Sequence, residues 1–304
     1  MGSVYIQVRH KHKDTDMKPF SAKDRHTKII QIDFANHGDS SKDVAYKNDF
    51  LNINAVDLDL SEEIFRIFNF DYFLNDLKDN KLTLVRPHKW KDPFENFLLN
   101  SVGELEDGTL VDFENIRDMY YGQCWSLKKE CDGLWRNYKG NSEFAVKVKT
   151  TTLKLFELAY DINYSFHNLS YFIGKVEYVT DNEIANFFKY KVDFSNYQSG
   201  LEFAQTMLIK RNSFEYEGEV RLIVRDKTKR NDDLLRIQID INDLVDEIIF
   251  DPWIKPDLYE QKKNELIANG CTGNITRSSL YDKPFFKVKN MNLHITNSRF
   301  VKLV

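Results

Sequence analysis

The segment IFRIFNFDYFLNDLKDNKLTLV, residues 64–85, carries the most regular pattern in the chain. It opens with a short apolar stretch that contains one charge, Arg66, and that is typical of a β-strand. Its middle has apolar residues at i, i+3, i+4 and i+7, the spacing of one helix face: Phe70, Phe73, Leu74 and Leu77. Asn69 is a suitable N-cap and Asn80 a suitable left-handed C-cap. The segment therefore predicts a strand, a helix and a second strand.

Outside this segment, alternating or continuous apolar stretches predict more strands. They lie at residues 122–127, 144–148, 174–179, 219–225, 235–241 and 247–250. Helical stretches are predicted between residues 181 and 210, and a further helix over 257–269, between Pro256 and Gly270. Strands outnumber helices and do not alternate with them regularly. The sequence therefore predicts an α+β fold with a mainly antiparallel sheet and flanking helices.

The first 50 residues differ from the rest of the chain. Alternating apolar residues near 4–8 and 30–34 predict two short strands, separated by a polar and charged loop. Residues 37–48 have the composition of a linker. We therefore expect an N-terminal extension over residues 1–50 and a single α+β domain over 51–304.

Composition excludes several classes of protein. The 304 residues include 43 Lys and Arg against 47 Asp and Glu, so a strongly basic nucleic-acid-binding body is excluded. Three cysteines are too few and too irregularly spaced for a disulfide scaffold or a zinc ribbon, and they are Cys124, Cys131 and Cys271. No apolar stretch approaches the roughly 20 residues of a membrane-spanning helix. We expect a cytoplasmic protein with no membrane partner.

The chain is rich in aromatic residues, with 23 Phe and 15 Tyr. Codon usage in an A+T-rich genome explains such a bias. A surface that stacks on nucleobases would also explain it, but needs aromatic residues gathered in one place. The count alone does not separate the two explanations.

Polar residues interrupt apolar patterns at three places. Arg66 lies inside the first strand of the segment above, and Ser126 ends the strand Gln123-Cys124-Trp125-Ser126. In the sequence FEYEGEVR, residues 214–221, a spacing of two places Glu217, Glu219 and Arg221 on one side of an extended chain. Like charges on one face are unfavourable unless a partner or ligand compensates them, and Arg221 is one such partner. A solvated sheet edge is the alternative.

Two further groups have an ordinary structural explanation beside a functional one. Asp92 and Glu95 are suitable metal ligands, or Asp92 caps a turn or helix that begins at Pro93. Trp135 and Tyr138 lie three residues apart, and we expect both to pack in the core.

Taken in order, these motifs resemble a bacterial family catalogued as domain of unknown function twenty-nine seventy-one. That family has an N-D-P-F-E signature, a C-F-S strand, a W-x-x-Y element and a Y-E-x-E-x-R strand. The matching stretches here are Phe65–Phe68, Asp92–Glu95, Cys124–Ser126, Leu134–Tyr138 and Glu217–Arg221. Three positions depart from the family pattern, namely Lys91, Trp125 and Phe214. The resemblance covers about residues 64–285 and implies no activity by itself.

The order of arginine, serine and E-x-E also resembles the R-S-E class of ADP-ribosyltransferases, although Cys124-Trp125-Ser126 replaces the usual S-T-S. This resemblance implies a split, mainly antiparallel sheet, NAD as substrate and no metal. Arg66 would hold the NAD phosphate or the nicotinamide ribose, which suits a guanidinium group. Ser126 would orient the catalytic glutamate. The side chains of Arg66, Ser126 and Glu219 should then converge on one cleft between the two halves of the sheet, and not point to different faces.

The same resemblance implies roles for the carboxylates and the aromatic residues. Glu219 would bind the ribose 2′-hydroxyl and stabilise the oxocarbenium ion as nicotinamide leaves. Glu217, nearer the cleft mouth, would position or deprotonate the acceptor. Tyr216 or Trp125 would stack on the nicotinamide ring, and Arg221 belongs to the same cofactor-binding group.

Three functional classes follow from the sequence. The first is an ADP-ribosyltransferase, of the kind found in toxins and phage-defence effectors, that acts on a protein or nucleic-acid acceptor. The second is a metal-dependent nuclease that uses four carboxylates: Asp92, Glu95, Glu217 and Glu219. The third is a non-catalytic module that binds a nucleotide.

Overall fold

The computed structural model describes residues 54–285, apart from 93, 141, 166–167, 188–199 and 229. The extension predicted over residues 1–50 lies outside this part of the chain, as does Pro93. Within it, no helix is long and apolar enough to cross a membrane.

The described chain alternates irregularly between strands and helices. The strands are β1 (Ala55–Val56), β2 (Glu63–Asn69), β3 (Lys81–Val85), β4 (Val102–Glu104), β5 (Leu110–Asp112), β6 (Tyr120–Ser126), β7 (Ala145–Thr151), β8 (Leu169–Lys175), β9 (Glu177–Val179), β10 (Ile209–Arg211), β11 (Glu219–Asp226), β12 (Leu234–Gln238), β13 (Glu247–Phe250) and β14 (Asn274–Arg277). The α-helices are α1 (Phe70–Asp79), α2 (Glu114–Arg117), α3 (Asp132–Lys139), α4 (Thr152–Ser165), α5 (Asp181–Phe187), α6 (Leu201–Thr206), α7 (Ile241–Leu244) and α8 (Pro256–Ala268).

One large sheet organises the described residues. Its strand order is β1-β8-β11-β6-β2-β7-β13-β14, with β3 joined to β6 and β12 joined to β3. The β1–β8 and β13–β14 pairs are parallel, and the other pairs in this sheet are antiparallel. The fold is thus a mixed, mainly antiparallel sheet with flanking helices, which agrees with the α+β prediction.

The sheet forks at β6. On one side β6 pairs with β11 along its whole length. On the other side it pairs with β2 only through Phe65 and Ser126, and with β3 only through Val85 and Gly122. Between these two single pairs the sheet opens. The helix α1 connects the two diverging strands.

The unit β2–α1–β3 forms as its sequence predicts. The Asn69 side chain accepts a hydrogen bond from the Asp71 backbone N–H at 2.9 Å and so caps α1. Asn80 ends the helix in the left-handed conformation, with φ of 50°. The apolar stripe of α1 is buried, which joins this local pattern to the main core.

Two apolar clusters cover the two faces of the sheet. Along β11, Val220, Leu222 and Val224 belong to the main cluster, whereas Ile223 belongs to the second cluster. Side chains alternate between faces along a strand. Glu219 and Arg221 therefore share the face of Ile223, opposite the main core.

Several predicted boundaries are wrong. The strand expected over 174–179 is divided into β8 and β9 at Val176, whose backbone N–H donates to the Glu219 carbonyl at 2.9 Å. The strand expected over 235–241 ends at Gln238, because Asp240 caps α7 by accepting from the Asn242 N–H at 2.9 Å. The helix α4 and the β4–β5 hairpin were not predicted.

Candidate active site

The fork opens into a cavity of about 540 Å³. This volume lies within the range of roughly 300–1,000 Å³ that is usual for ligand sites. Arg66, Ser126, Glu217 and Glu219, which lie far apart in sequence, all border it, and so does Tyr216. We refer to this space as the fork cavity.

A buried lysine joins three carboxylates at the fork cavity. The Nζ atom of Lys210 lies 2.5 Å from Glu217 Oε2, 2.7 Å from Glu219 Oε1 and 2.9 Å from Glu95 Oε1. All four side chains are at most 7% exposed. The contacts with Glu217 and Glu219 are hydrogen bonds, and the contact with Glu95 is an ion pair. With Arg221, these four residues form what we call the carboxylate wall.

Arg221 is the fifth residue of the carboxylate wall and is fully buried. Its Nε and Nη2 atoms each lie 2.6 Å from a carboxylate oxygen, on Glu219 and Glu95 respectively, and its Nη1 donates to the Met207 carbonyl at 2.7 Å. Its guanidinium carbon is 4.5 Å from the centre of the Trp90 ring. The role predicted for Arg221 in cofactor binding is therefore wrong. It is a counter-ion in which each of the three guanidinium nitrogens already donates to a protein oxygen.

The position of Trp90 depends on a glycine in β6. A Cβ atom on Gly122 would lie 2.4 Å from Trp90 Cζ2, which is far inside normal contact distance. The absent side chain lets the indole lie against the strand and over Arg221. Trp90 also lines the fork cavity, whereas Arg221, which lies against the Trp90 ring, does not.

The carboxylate wall has an unbalanced charge. Three carboxylates face two cations, which leaves one negative charge in excess when every group is ionised. Burial, together with the neighbouring Glu219, raises the pKa of Glu217 to about 7. Burial opposes ionisation of Glu219 too, but the charges of Arg221 and Lys210 outweigh it and lower the pKa of Glu219 to about 2. Glu217 is thus the group of the wall that takes up or releases a proton near neutral pH.

The two glutamates differ in backbone setting. Glu217 ends a 3₁₀ turn over Asn212–Glu217, and Gly218 then adopts the left-handed conformation with φ of 53° before Glu219 begins β11. Both glutamates are buried, at 5% exposed for Glu217 and 3% for Glu219, so Glu219 is the more buried of the two, as predicted, by a small margin. Tyr216 occupies the mouth, at 42% exposed. Its hydroxyl accepts from Asn137 Nδ2 at 2.9 Å and lies 3.4 Å from Glu217 Oε1.

Ser126 contacts the glutamate segment in an unexpected way. Its backbone is paired with Glu219 across β6 and β11. Its hydroxyl donates to the Glu217 carbonyl at 2.5 Å and accepts from the Lys128 N–H at 3.0 Å. Both hydrogen bonds go to the backbone, so the predicted contact of the hydroxyl with the Glu219 carboxylate is absent here. Ser126 fixes the turn that carries Glu217.

Arg66 borders the fork cavity with Ser126 and Glu219, as predicted, but its side chain leaves the sheet on the other face, so the predicted convergence is wrong in this respect. Phe65 is paired with Ser126, and Ser126 with Glu219, so these three residues share a face and Arg66 lies on the opposite one. Its guanidinium carbon lies 4.5 Å from the centre of the Phe68 ring. Its Nη1 group is buried and has no hydrogen-bond partner among the described residues. Burial lowers the pKa of Arg66 to about 10, and the group stays charged at neutral pH.

Trp125 is not a free stacking surface. Its side chain is 2% exposed and belongs to the main core, and its Nε1 donates to Gln123 Oε1 at 2.9 Å. The neighbouring strand positions place it opposite Ser126 and Glu219. Trp125 borders the fork cavity with little exposed surface, so of the two residues predicted to stack on a ligand ring, Tyr216 is the more accessible.

The four carboxylates of the nuclease interpretation do not form a metal site. Asp92 accepts from Arg211 Nη2 at 2.8 Å and from the Phe94 N–H at 3.1 Å, as expected of a turn cap. The oxygens of the other three surround the Lys210 ammonium group, which occupies the position a cation would take. Within the described ranges, no cluster of three or more His, Cys, Asp or Glu side chains is suitable for a metal ion.

Several residues of the cavity were not predicted from the sequence. Tyr138 was expected in the core with Trp135, but it is 40% exposed and lines the cavity, while Trp135 is fully buried. Lys128 and Lys129 are exposed at the rim and form no ion pair with any residue in the described part of the chain. Together with Arg66 they add positive charge to the lining of the cavity, and the Lys128 side chain lies beside Gly218, the residue between the two glutamates.

Neither a protein-family model nor a curated protein sequence matches the chain. Among solved structures, the chain is similar to DarT of Thermus sp. 2.9 in complex with NAD+, with 12% identity, a TM-score of 0.32, and coverage of 71% of this chain and 94% of that one. It is also similar to the same DarT in complex with carba-NAD+, with 9% identity, a TM-score of 0.32, and coverage of 72% and 96% respectively. Both similarities are low.

Proposed function

We propose that this protein is an ADP-ribosyltransferase-like enzyme that cleaves the nicotinamide–ribose bond of NAD+ in the fork cavity. The observation that supports the proposal is the charge pattern of the cavity. An ordered carboxylate pair borders the cavity together with three cationic side chains: Arg66, whose Nη1 is unpaired, Lys128 and Lys129. NAD+ has a matching pattern, because its nicotinamide ring is cationic and its diphosphate is anionic.

Glu219 is suited to stabilise a developing positive charge. Lys210 and Arg221 hold its two oxygens in fixed positions, and its low pKa keeps it ionised. As the glycosidic bond breaks, nicotinamide leaves with the bonding electron pair as a neutral ring, and the ribose becomes an oxocarbenium ion. A carboxylate already oriented by its neighbours stabilises that ion without reorganising.

Glu217 is suited to move the proton of the acceptor. The acceptor nucleophile forms a new bond to the ribose carbon and loses one proton, and a carboxylate with a pKa of about 7 can take it. The side chain is mostly buried, so the acceptor must approach past Tyr216 at the mouth.

Nicotinamide release from NAD+ tests the proposal. We expect Glu219→Gln to lower turnover by roughly 10²–10³-fold, since it removes one oriented transition-state contact. We expect Arg66→Ala chiefly to raise KM, because a phosphate contact also exists in the ground state. The matched control is Glu247→Gln, which lies on β13 away from the cavity. Circular dichroism verifies that each variant is folded.

Three outcomes separate the functional classes. Turnover that persists in EDTA and is lost in Glu219→Gln supports the transferase. Cleavage of nucleic acid that requires a divalent ion contradicts it in favour of the nuclease. Binding of NAD+ without release of nicotinamide, even with candidate protein and nucleic-acid acceptors present, contradicts it in favour of a binding module.

A further inference from the structure

A second cavity, of about 770 Å³, adjoins the fork cavity. It lies where β2 ends and α1 begins, and Gly140, Ser142 and Glu143, which follow α3, also line it. Three residues border both cavities: Arg66, Ile67 and Tyr138. The two cavities therefore meet at the unpaired guanidinium group.

The register of β2 assigns Arg66 to the second cavity more than to the first. Its side chain leaves the strand on the face opposite Ser126 and Glu219, and it lies over Phe68, which lines only the second cavity. A ligand that contacts both Glu219 and Arg66 must therefore extend across the junction. The residues of the second cavity then determine which chemical group the ligand can carry beyond the junction.

The residues of the second cavity suit a nucleoside. Tyr72 is 71% exposed and stacks on no other ring within the described chain, so its face is open to a base. Asp71 and Glu143 supply exposed carboxylates, which can accept hydrogen bonds from the hydroxyl groups of a ribose. Lys139 and Lys262 also line this cavity, and each is paired with a carboxylate, Asp251 and Glu265 respectively.

We infer that the second cavity binds the adenosine half of the dinucleotide, with the diphosphate at Arg66 and the nicotinamide ribose at the carboxylate wall. This inference rests on the proposed function for the identity of the dinucleotide. The isolated site would bind a purine nucleoside 5′-diphosphate whether or not the protein cleaves NAD+.

Calorimetric titration with ADP tests the site without using catalysis. We expect Tyr72→Ala to weaken ADP binding about 10-fold, Tyr72→Phe to restore it because the stacking face is kept, and Arg66→Ala to weaken it about 10-fold or more. The matched control is Tyr281→Ala, an exposed tyrosine that lines neither cavity. Equal ADP affinity in wild type and Tyr72→Ala, or no ADP binding by the wild type, overturns the inference.

A comparison of two substrates separates this inference from the proposed function. Nicotinamide mononucleotide carries the reactive ribose and one phosphate but no adenosine. We expect Tyr72→Ala to lower the ratio of kcat/KM for NAD+ to that for the mononucleotide about 10-fold, through KM rather than kcat. An unchanged ratio overturns the inference while the proposed function stands. No nicotinamide release from either substrate overturns the proposed function, and the ADP titration still decides the second cavity.

Discussion

Two arginines border the same region of this protein and differ in almost every other respect. Arg221 uses its donors on Glu95, Glu219 and a backbone carbonyl, and an indole ring covers it. Arg66 has a buried Nη1 group with no partner in the described residues. A buried cation is costly unless it is paired and hydrogen-bonded. The paired arginine therefore serves the stability of the fold, and the unpaired one is available to an anionic ligand.

The largest effect is expected when the charge of each arginine is removed in turn. Arg221→Met leaves the three buried carboxylates of the wall with Lys210 as their one cation, and we expect it to lower the free energy of unfolding by about 3–5 kcal/mol. Arg66→Met removes a donor that lacked a partner, and we expect a change within about 1 kcal/mol. Urea unfolding at pH 7 measures both. Equal losses in the two variants would show that the arginines do not differ as described.

The next test concerns the excess charge of the carboxylate wall. Burial raises the pKa of Glu217 from 4.5 to about 7, so the folded state binds more protons than the unfolded state between these values. The free energy of unfolding should therefore fall as pH rises from 4.5 to 7 and level off above 7. We expect Glu217→Gln to remove this decline and to gain up to about 3 kcal/mol over wild type at pH 8.

Urea unfolding at a series of pH values measures this effect. Glu219→Gln is the matched control and should lower stability at neutral pH, because ionised Glu219 is the partner of two buried cations. In the wild type, the pKa of Glu219 is lowered to about 2, so ionised Glu219 contributes to the free energy of unfolding. This contribution is present above pH 4.5 and is lost as pH falls through 2. Wild-type stability that does not change between pH 5 and pH 8 would argue against the excess charge.

A smaller effect is expected where Trp90 covers Arg221. Gly122→Ala places a Cβ atom 2.4 Å from the indole, which must move away from the guanidinium group. We expect a loss of about 1–3 kcal/mol, the usual cost of overpacking, and a shift in tryptophan fluorescence. Gly133→Ala on α3 is the control, because its nearest contacts would be at an ordinary 3.8 Å. A fully stable Gly122→Ala protein would show that the indole is free to rearrange.

The smallest effect concerns the turn that carries Glu217. Ser126→Ala removes a hydrogen bond to the Glu217 carbonyl and another from the Lys128 N–H. We expect a loss of about 1 kcal/mol in unfolding free energy. Ser61→Ala, whose hydroxyl bonds to exposed Asp59, should cost less than about 0.5 kcal/mol. If Ser126→Ala is no more destabilising than this control, the hydroxyl does not hold the turn.

Local signals predicted the parts of the fold that depend on neighbours in sequence. The unit β2–α1–β3 was predicted because its helix face and both asparagine caps lie within 22 consecutive residues. The pair Glu217 and Glu219 was visible because it leads into a regular strand. The helix α4 was missed because its apolar residues do not keep to one face.

The remainder of the site depends on contacts between distant segments. Lys210 lies in a short strand, and nothing beside it in sequence shows that it meets Glu95, which lies 115 positions earlier. The face of Arg66 was also hidden from the sequence. The strand Ile64–Phe68 is apolar on both sides of the arginine, so its alternation does not say which side meets the cavity. Only the pairing of Phe65 with Ser126 decides it.

At the fork, the centre of the sheet has fewer strand-to-strand pairs than the regions on either side of it. The strands β2 and β6 are held together by one residue pair, while each is fully paired with its outer neighbour. Alternate backbone amides of residues 123–125 therefore point into the fork, where no strand of the described chain receives them. In hydrogen–deuterium exchange we expect these central amides to exchange faster than those of β8 or β13. We expect a ligand bound across the fork to contact both halves of the sheet and to slow amide exchange in both halves together.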